Sequence, residues 1–261
     1  MIPASGVGER RPADSGSDAG PPCAVVEDFA DLGIRAVVTT RAAGSFSLNG
    51  DDPTGLVMAR WQALRASLGV EGPGARFATA VQVHGARVVW HQPGWEGWLR
   101  VDAADGHCTS DRGTGLGISV ADCVPVFLAH PGGVVGLLHA GWRGTASRIV
   151  PTALASLAQR GFAVADVRVH LGPAICGTCY EVGPDVYQQL TGHRVAKPTR
   201  IDLRQILADQ AHECGVAAVA VSPWCTHCDN GMFFSHRAGD AGRQVAALVA
   251  INQHPRHDTH K

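Results

Sequence analysis

The clearest pattern in the chain is a short apolar run that leads into a glycine-rich turn, the segment VVGLLHAGWRGT at residues 134–145. The apolar positions predict a buried strand, and a helical pattern opens near Thr145 and continues to about Arg160. Pro151 is tolerated only near the first turn of that helix. A side chain at the end of a buried strand has a fixed direction, and the N–H groups of a following helix face a ligand bound there. His139, at this strand end, is therefore a candidate functional residue.

Strand-like and helical patterns alternate along most of the remaining chain. Apolar runs predict strands at residues 34–40, 78–83, 86–90, 115–120, 126–129, 167–171 and 216–221. Apolar residues at helical spacing predict helices at residues 53–68, 184–190, 202–214 and 239–251. Asp202 is a good N-cap for the third of these helices, and the polar segment 102–114 is expected to be a loop. Because the elements alternate without a linker, the pattern predicts one α/β domain.

The two ends of the chain differ in composition from the middle. Residues 1–22 are rich in Gly, Pro, Ser and Asp and contain few large apolar side chains. Such a segment cannot bury enough apolar surface to offset the entropy of ordering, so we expect a disordered N-terminal tail. Residues 253–261 are polar and are expected to form a disordered C-terminal tail. A single domain is therefore predicted at residues 23–252.

The composition is that of an ordinary globular chain and excludes several classes of partner. The 261 residues are 45% hydrophobic and 17% charged, with a net charge of −1 and a pI of about 6.9. This balance offers no basic surface for nucleic acid or for an anionic membrane. No apolar run has the length of a membrane span and no signal pattern is found, so the expected location is cytoplasmic. The eight cysteines are then expected to be reduced thiols or metal ligands.

Three side chains that bind soft or borderline metals lie at predicted strand ends, although they are far apart in sequence. They are His84, Cys123 and His139. Such strand ends can bring their side chains together, and a set of two histidines and one cysteine leaves one position of a tetrahedral zinc open, as in catalytic sites. Copper would also bind this set. The residues alone leave open a second interpretation, in which these are two histidines at the core edge and one buried thiol.

Nine short motifs then connect the sequence to a known family. They are TTR (39–41), QVHG (82–85), ADG (104–106), VADCVPV (120–126), HAGWRGT (139–145), LGPAI (171–175), CYEVG (179–183), CT (225–226) and FFSHR (233–237). Together they resemble the purine nucleoside phosphorylase family formerly described as multicopper polyphenol oxidases or laccase-domain (YfiH-like) proteins. The resemblance covers about residues 35–247, and HAGWRGT combined with ADC-x-P is its most specific part.

The resemblance implies a fold, a metal and an activity. The implied fold is a single α/β domain with mixed β-sheets sandwiched between helical layers, and the implied metal is zinc held by His84, Cys123 and His139. The implied activities are phosphorolysis of adenosine, inosine, guanosine and methylthioadenosine, together with deamination of adenosine. The chain departs from the family pattern at residues 42–43, where a glycine pair is usual, and at His236, where tyrosine is common. These departures concern the substrate pocket.

Residue types near the motifs suggest further roles. The candidate catalytic residues are Asp122, Cys123 and Arg143. The candidates for binding substrate or phosphate are Arg41, Gln82, Arg143, Gly144, Thr145, Tyr180 and Arg237. An arginine beside a helix start suits a phosphate, and an aspartate beside a ligand can orient an imidazole, transfer a proton or only cap a turn. The expected partners are a purine nucleoside and inorganic phosphate, and the chain is expected to be a monomer or a homodimer.

A cysteine hydrolase is an alternative that uses the same residues. In it, the Cys123 thiolate is the nucleophile, and His84 or His139 activates it. The adjacent Asp122 does not favour a low thiol pKa. Some bacterial relatives are implicated in editing peptidoglycan precursors, and the resemblance therefore implies a nucleotide-linked muropeptide as the substrate of such a hydrolase.

A non-catalytic zinc-binding module is a second alternative. Two Cys-x-x-Cys pairs, at residues 176–179 and 225–228, could together hold a structural zinc ion. Their separation is longer than in a usual zinc ribbon, and each pair lies in its own predicted loop. A multicopper oxidase, in contrast, needs several His-x-His clusters to hold its coppers. The sequence contains no His-x-His pair, so this activity is rejected.

Overall fold

The computed structural model of the chain describes residues 9–10 and 20–251. Its strands are β1 (Glu9–Arg10), β2 (Cys23–Val26), β3 (Ile34–Thr39), β4 (Arg76–Ala80), β5 (Val88–His91), β6 (Gly97–Val101), β7 (Gly106–Thr109), β8 (Thr114–Val120), β9 (Val124–Ala129), β10 (Val135–Ala140), β11 (Arg168–Leu171), β12 (Glu181–Val182), β13 (Thr199–Arg200), β14 (Ala218–Val221) and β15 (Gln244–Ala250). Its α-helices are α1 (Thr54–Leu68), α2 (Trp142–Ala146), α3 (Ile149–Ala158), α4 (Pro184–Thr191) and α5 (Leu203–Glu213). Single turns of 3-10 helix lie at Ala30–Leu32, Arg41–Ala43 and Val164–Asp166.

The strands form two mixed sheets and one small ribbon. The first sheet has the order β1-β2-β3-β15-β8-β4-β6, and its pairs are antiparallel except where β4 meets β6 and β8. The second sheet has the order β14-β11-β9-β10-β7-β5 and is parallel only at its two edge pairs. β12 and β13 pair separately.

The core is divided into three layers by the two sheets. Apolar side chains of both sheets meet in the central layer, for example Leu116 and Leu248 against Phe127 and Leu137. α1 covers the outer face of the first sheet, and α3 and α5 cover the outer face of the second. The prediction of an α/β fold with mixed sheets sandwiched between helical layers is confirmed.

Two predicted helices are present with the ends that their sequences suggest. α1 begins after Pro53, and Gly69 ends it in the left-handed conformation that glycine adopts without strain. Its buried positions, such as Trp61 and Leu64, lie on one face. α5 begins after Asp202, whose carboxylate accepts a hydrogen bond from the backbone N–H of Arg204 at 2.9 Å. Asp202 is therefore the N-cap that the sequence predicts.

The helix predicted at residues 239–251 is wrong, because this segment contains the central strand β15. All seven residues of β15 are buried. Ala246 and Leu248 face the second sheet, whereas Val245 and Val249 face α1. A strand that is covered on both faces is apolar throughout, so it lacks the alternation that identifies a strand in a sequence.

Three smaller predictions also need correction. The helix expected to run to Arg160 is divided at Arg148, whose φ of 59° is left-handed, into α2 and α3. Pro151 is the third residue of α3, within the first turn, where the sequence allows it. The expected loop at 102–114 contains β7, which pairs with β10 and β5. The strand expected at 78–83 ends at Ala80 because the chain then turns toward the site described below.

The structure bears only in part on the expectations for the chain ends and for a membrane-spanning segment. The tails expected at residues 1–22 and 253–261 lie almost entirely outside the described residues, so they remain predictions. Within residues 20–251, no helix combines the length and the apolar character that a membrane crossing requires.

Candidate metal centre

Three side chains from separate segments meet at one end of the space between the sheets. One ligand atom from each of His84, Cys123 and His139 lies within 4.8 Å of the other two. The two imidazole rings are 4.8 Å apart between centroids and are inclined by 73°. Zinc bonds to sulfur and nitrogen are about 2.3 and 2.0–2.1 Å long, so these separations are on the scale of one coordination shell.

Each of the three side chains leaves the backbone where a strand ends or turns. His139 is the penultimate residue of β10 and lies on the same strand face as Val135 and Leu137, which pack between the sheets. Cys123 lies in the tight turn between β8 and β9, and His84 lies in the turn after β4. The structure therefore brings together the residues that the sequence places at strand ends.

Two of these turns require unusual backbone conformations. His84 has a φ of 62°, and Asp122, immediately before Cys123, has a φ of 79°. A non-glycine residue in this left-handed region costs of order 1–3 kcal/mol, and such residues concentrate at functional sites because the surrounding structure must hold them there.

Asp105 holds two of the ligands in place, and it is not among the site residues predicted from the sequence. Its carboxylate accepts hydrogen bonds from the backbone N–H groups of Val83, His84 and Gly85 at 2.7–3.2 Å. The same carboxylate lies 2.8 Å from Nδ1 of His139. Asp105 therefore fixes the strained turn at His84 and leaves Nε2 of His139 as the ring nitrogen that can bind a metal.

Two glycines allow the ligand segments to approach one another. A Cβ at Gly141 would lie 2.9 Å from Sγ of Cys123 and 3.3 Å from Cδ2 of His84. A Cβ at Gly144 would lie 2.8 Å from the carbonyl oxygen of Gly85. The contacts at 2.9 and 2.8 Å are too short for a real side chain, so the HAGWRG motif needs glycine at these positions.

The electrostatics of the group suit a thiolate beside protonatable imidazoles. Burial acts to raise the pKa of Cys123, but the charge and hydrogen bonds of His139 and His84 outweigh it and lower that pKa. Burial acts to lower the pKa of His139, but Cys123 and Asp105 outweigh it and raise that pKa. The pKa of Asp105 is lowered because hydrogen bonds from His139 and the 83–85 turn outweigh its burial. A metal cation favours the same thiolate, so the residues present fit a bound metal ion.

Asp122 supports the turn that carries Cys123. One carboxylate oxygen accepts a hydrogen bond from the Thr226 hydroxyl at 2.6 Å, and the other accepts one from the backbone N–H of Arg237 at 2.7 Å. Asp122 is buried, and it is not part of the cavity wall described next. Its geometry is that of a brace for the turn that carries Cys123.

A cavity of about 470 Å³ opens beside the three ligands and extends along the first sheet. Its volume lies in the range of small-molecule sites. Besides the ligands, its polar lining includes Asn49, Gln82, Arg100, Ser119, His236 and Arg243. Trp61 and Trp98 contribute aromatic surface. The cavity therefore joins a metal-binding group to cationic and aromatic side chains.

The arginines predicted at positions 41 and 143 lie outside this lining. Arg41 pairs with Asp240, donates to the carbonyl of Asn230 at 2.8 Å and lies over the Phe234 ring. Arg143 is exposed and lies over the ring of Trp142, 4.4 Å from its centroid.

Thr145, predicted as part of a phosphate site at the start of α2, is engaged in internal hydrogen bonds. Both the backbone N–H and the hydroxyl of Thr145 donate to the carbonyl of Gly141 at 2.9 Å. Gly144 lies against the backbone of Gly85, as described above. Their geometry therefore serves the packing of the ligand turns.

Gln82, Tyr180 and Arg237 are placed differently from one another. Gln82 lines the cavity, but both ends of its amide are bonded to the backbone of Ser119 at 2.8 Å. Arg237 lies over the Tyr180 ring, 5.2 Å from its centroid, and donates to the carbonyls of Cys179 and Glu181. Gln82 thus stiffens the cavity wall, and the Tyr180–Arg237 pair stiffens the adjacent loops.

Four cavity or support residues were missed in the sequence. Asp105 stands in the ADG motif and His236 in the FFSHR motif, so a signal was present for both. Arg243 lies within the predicted helix at residues 239–251, and this incorrect prediction concealed its position at the cavity. No feature of the sequence marks Arg100.

Comparison with known proteins places this geometry in a family. Residues 35–251 match the family model described as multi-copper polyphenol oxidoreductase laccase. The chain belongs to this laccase family. The described residues of this laccase-family chain contain two groups that could hold a metal, the His84–Cys123–His139 group and a cluster of four cysteines. Neither is a multi-histidine cluster of the kind that several coppers require.

The individual proteins to which the chain is similar are named differently from the family model. The chain is 36% identical over 235 residues to a protein named purine nucleoside phosphorylase from Mycobacterium tuberculosis, covering 83% of this chain and 91% of the relative. It is 35% identical over 211 residues to a purine nucleoside phosphorylase from Streptomyces coelicolor, covering 78% and 85%. The crystal structure of the hypothetical protein YfiH from Bacillus licheniformis superposes with a TM-score of 0.81 at 25% identity, covering 90% and 98%. The resemblance found in the motifs is confirmed.

Proposed function

We propose that the chain is a zinc-dependent purine nucleoside phosphorylase that also deaminates adenosine. The observation that carries the proposal is the cavity of about 470 Å³ whose wall contains His84, Cys123 and His139. The relatives named purine nucleoside phosphorylase support the same substrate class. The proposed substrates are adenosine, inosine, guanosine and methylthioadenosine, with inorganic phosphate as the second substrate.

The metal ligands support zinc as the resident ion. Two imidazoles and one thiolate form a ligand set that zinc prefers, and three protein ligands leave a coordination position open. Zinc held there supplies a Lewis-acid charge at the end of the cavity. The hydrogen bond from His139 to Asp105 has the geometry of the outer-shell contacts that usually orient a ligating histidine.

Arg243 and Arg100 are the proposed phosphate-binding residues. Both line the cavity, whereas Arg143 and the start of α2 do not. Nη1 of Arg243 donates to the backbone carbonyls of residues 240–242 at 2.7–3.2 Å, which fixes the orientation of its guanidinium. Among the described residues, its Nε and Nη2 atoms donate no hydrogen bond, so they can meet the phosphate.

The phosphorolysis step forms one bond and breaks one. A phosphate oxygen attacks C1′ of the ribose while the bond from C1′ to N9 of the purine breaks, giving ribose 1-phosphate and a base that takes up one proton. His236 lines the cavity and is our proposed donor of that proton, since both oxygens of Asp122 are engaged elsewhere.

Replacement of His236 tests the proton-donor role. We expect His236→Phe to lower kcat for inosine about 100-fold, because a positioned general acid contributes about 10²- to 10⁴-fold. His236→Tyr restores a donor and is expected to recover most of the rate. Equal loss in both variants, or no loss in His236→Phe, would remove His236 from the mechanism.

The proposed activity is tested by its dependence on phosphate. The purified protein is incubated with inosine or adenosine, with and without phosphate, and free base and ribose 1-phosphate are measured. We expect free base and ribose 1-phosphate only when phosphate is present. We expect adenosine to be converted to inosine when phosphate is absent. A zinc-loaded protein that releases no base with phosphate would end the phosphorylase proposal, and one that forms no inosine would end the deaminase part.

A cysteine hydrolase is a second candidate, favoured by the lowered pKa of Cys123 beside His139. Its proposed substrate is a peptidoglycan precursor that carries a nucleotide. This function predicts an activity that survives removal of the metal and a covalent adduct of Cys123 with an electrophilic substrate analogue. Complete loss of activity on chelation, restored by zinc, would exclude it.

A further inference from the structure

Two Cys-x-x-Cys loops meet at the second sheet and form a group separate from the three ligands described above. The loop at 176–179 follows β11, and the loop at 225–228 follows β14. β11 and β14 are parallel neighbours, paired from Arg168 with Ala218 to Leu171 with Val221, so both loops leave the same end of the sheet. A bridge between Ala174 and Cys225 continues this pairing into the loops.

The four sulfur atoms have the separations of a tetrahedral ligand set. Sγ atoms of Cys176, Cys179, Cys225 and Cys228 all lie within 4.8 Å of one another. Four Zn–S bonds of about 2.3 Å in a tetrahedron place neighbouring sulfurs about 3.8 Å apart. Sγ of Cys179 and Cys228 are 3.4 Å apart, far longer than the S–S bond of about 2.05 Å in a disulfide.

Backbone hydrogen bonds surround this cluster as they surround ligating thiolates. The N–H groups of Cys176 and Cys228 both donate to Sγ of Cys225, at 3.3 and 3.4 Å. Such donors orient a thiolate and spread its charge. Arg237 donates to the carbonyl of Cys179. Its positive charge therefore lies beside the four cysteines, whose thiolates would keep a net negative charge after binding a divalent ion.

We propose that these four cysteines bind a second, structural zinc ion. Four protein ligands close the coordination shell, as in structural zinc sites, and the thiol protons are released to solvent on binding. This assignment rests on the geometry of the loops and not on the proposed activity. The zinc ion links the two loops directly through their sulfur atoms.

The proposed zinc ion would brace the centre that contains Cys123. Thr226, next to Cys225, donates its hydroxyl to Asp122, and the N–H of Ile175, next to Cys176, donates to the backbone carbonyl of Asp122 at 3.1 Å. Asp122 in turn holds the left-handed turn before Cys123. The zinc ion thus joins the two loops that fix this turn.

The proposal is tested first on the wild-type protein. Elemental analysis of protein purified with zinc is expected to give two equivalents per chain. Zinc X-ray absorption is expected to show more sulfur than nitrogen and oxygen neighbours on average, because the two sites together supply five sulfurs. One equivalent with a single sulfur neighbour would overturn the proposal. A Cys179–Cys228 disulfide in protein purified without oxygen would overturn it too.

Matched variants then separate the two sites. Cys228→Ser is expected to retain one equivalent with a single sulfur neighbour, and His84→Ala one equivalent with sulfur neighbours only. Cys214→Ser changes a half-buried thiol outside both groups and is expected to retain two equivalents. Zinc in His84→Ala without an all-sulfur shell would contradict the proposal, and this spectrum does not depend on whether Cys228→Ser folds.

Discussion

Asp105 is the residue whose single side chain does most to shape the centre. Four hydrogen-bond donors converge on its carboxylate, three from the 83–85 turn and one from His139. Two ligands that are distant in sequence are therefore fixed by one fully buried group. A buried carboxylate without these donors would be costly, so the bonds and the turn depend on one another.

Asp105→Asn is expected to weaken zinc binding at the centre by 10- to 100-fold. The amide retains one acceptor but directs an N–H₂ group at donors that need an oxygen, which frees the His84 turn and the His139 ring. The readout is the chelator concentration at which one zinc equivalent leaves the protein. Asp31→Asn, in an exposed ion pair with Arg168, is the control and should leave this concentration unchanged. Equal retention of zinc in both variants would contradict the role of Asp105.

A buried pair of histidines predicts how stability depends on pH. Nε2 of His91 lies 2.8 Å from Nδ1 of His107. Burial lowers the pKa of His91 to about 4, and burial followed by the charge of His91 lowers that of His107 to about 3. In the unfolded chain both histidines have a pKa near 6.5, so the unfolded chain binds protons more readily than the folded chain. The free energy of unfolding should therefore be fully retained above about pH 6.5 and fall as pH drops toward 4 and 3.

His107→Gln tests this pH dependence, because glutamine does not titrate. Urea unfolding is measured at pH 7.5 and pH 5. The free energy of unfolding of the wild-type protein should fall by up to about 1.4 kcal/mol per pH unit for each histidine. The variant should show a shallower loss. His193→Gln, at an exposed position, should retain the wild-type slope. An unchanged slope in His107→Gln would show that the pair is not responsible.

Local pattern determined which elements could be predicted. α1 and α5 carry apolar residues at helical spacing and end signals such as Asp202 and Gly69, so their predicted bounds agree with the structure within one or two residues. β15 has both faces covered and no alternation, and its six apolar residues after Gln244 fit a helix equally well. Its identity is decided by β3 and β8 on either side, which no local pattern can show.

The close contact between α2 and the 84–85 turn can be tested by substitution. We expect Gly144→Ala to displace the 84–85 turn, because its Cβ would lie 2.8 Å from the Gly85 carbonyl. Zinc binding and nucleoside cleavage should fall together, while the thermal unfolding transition remains cooperative. Gly55→Ala, in α1 with no atom within 4 Å of the added methyl, should preserve both. Normal zinc binding in Gly144→Ala would contradict the proposed close approach.

At the scale of the whole molecule, the centre lies where the two sheets come together. The motifs in the sequence identify residues that the structure brings together, such as His84, Cys123 and His139, because each motif marks a strand end. The cavity wall could not be predicted in the same way. Arg100 and Arg243 reach it from opposite parts of the chain, and only the order of strands in the first sheet places them together.

The Cys123→Ser variant tests whether phosphorolysis depends on the metal centre. Wild-type protein and the variant are compared for release of hypoxanthine from inosine with and without phosphate, and for zinc content, after both are shown to be folded. We expect phosphate-dependent release by wild-type protein, at least 100-fold slower release by the variant, and loss of one zinc equivalent from the variant. A folded Cys123→Ser variant that retains wild-type phosphorolysis without this zinc would contradict this dependence.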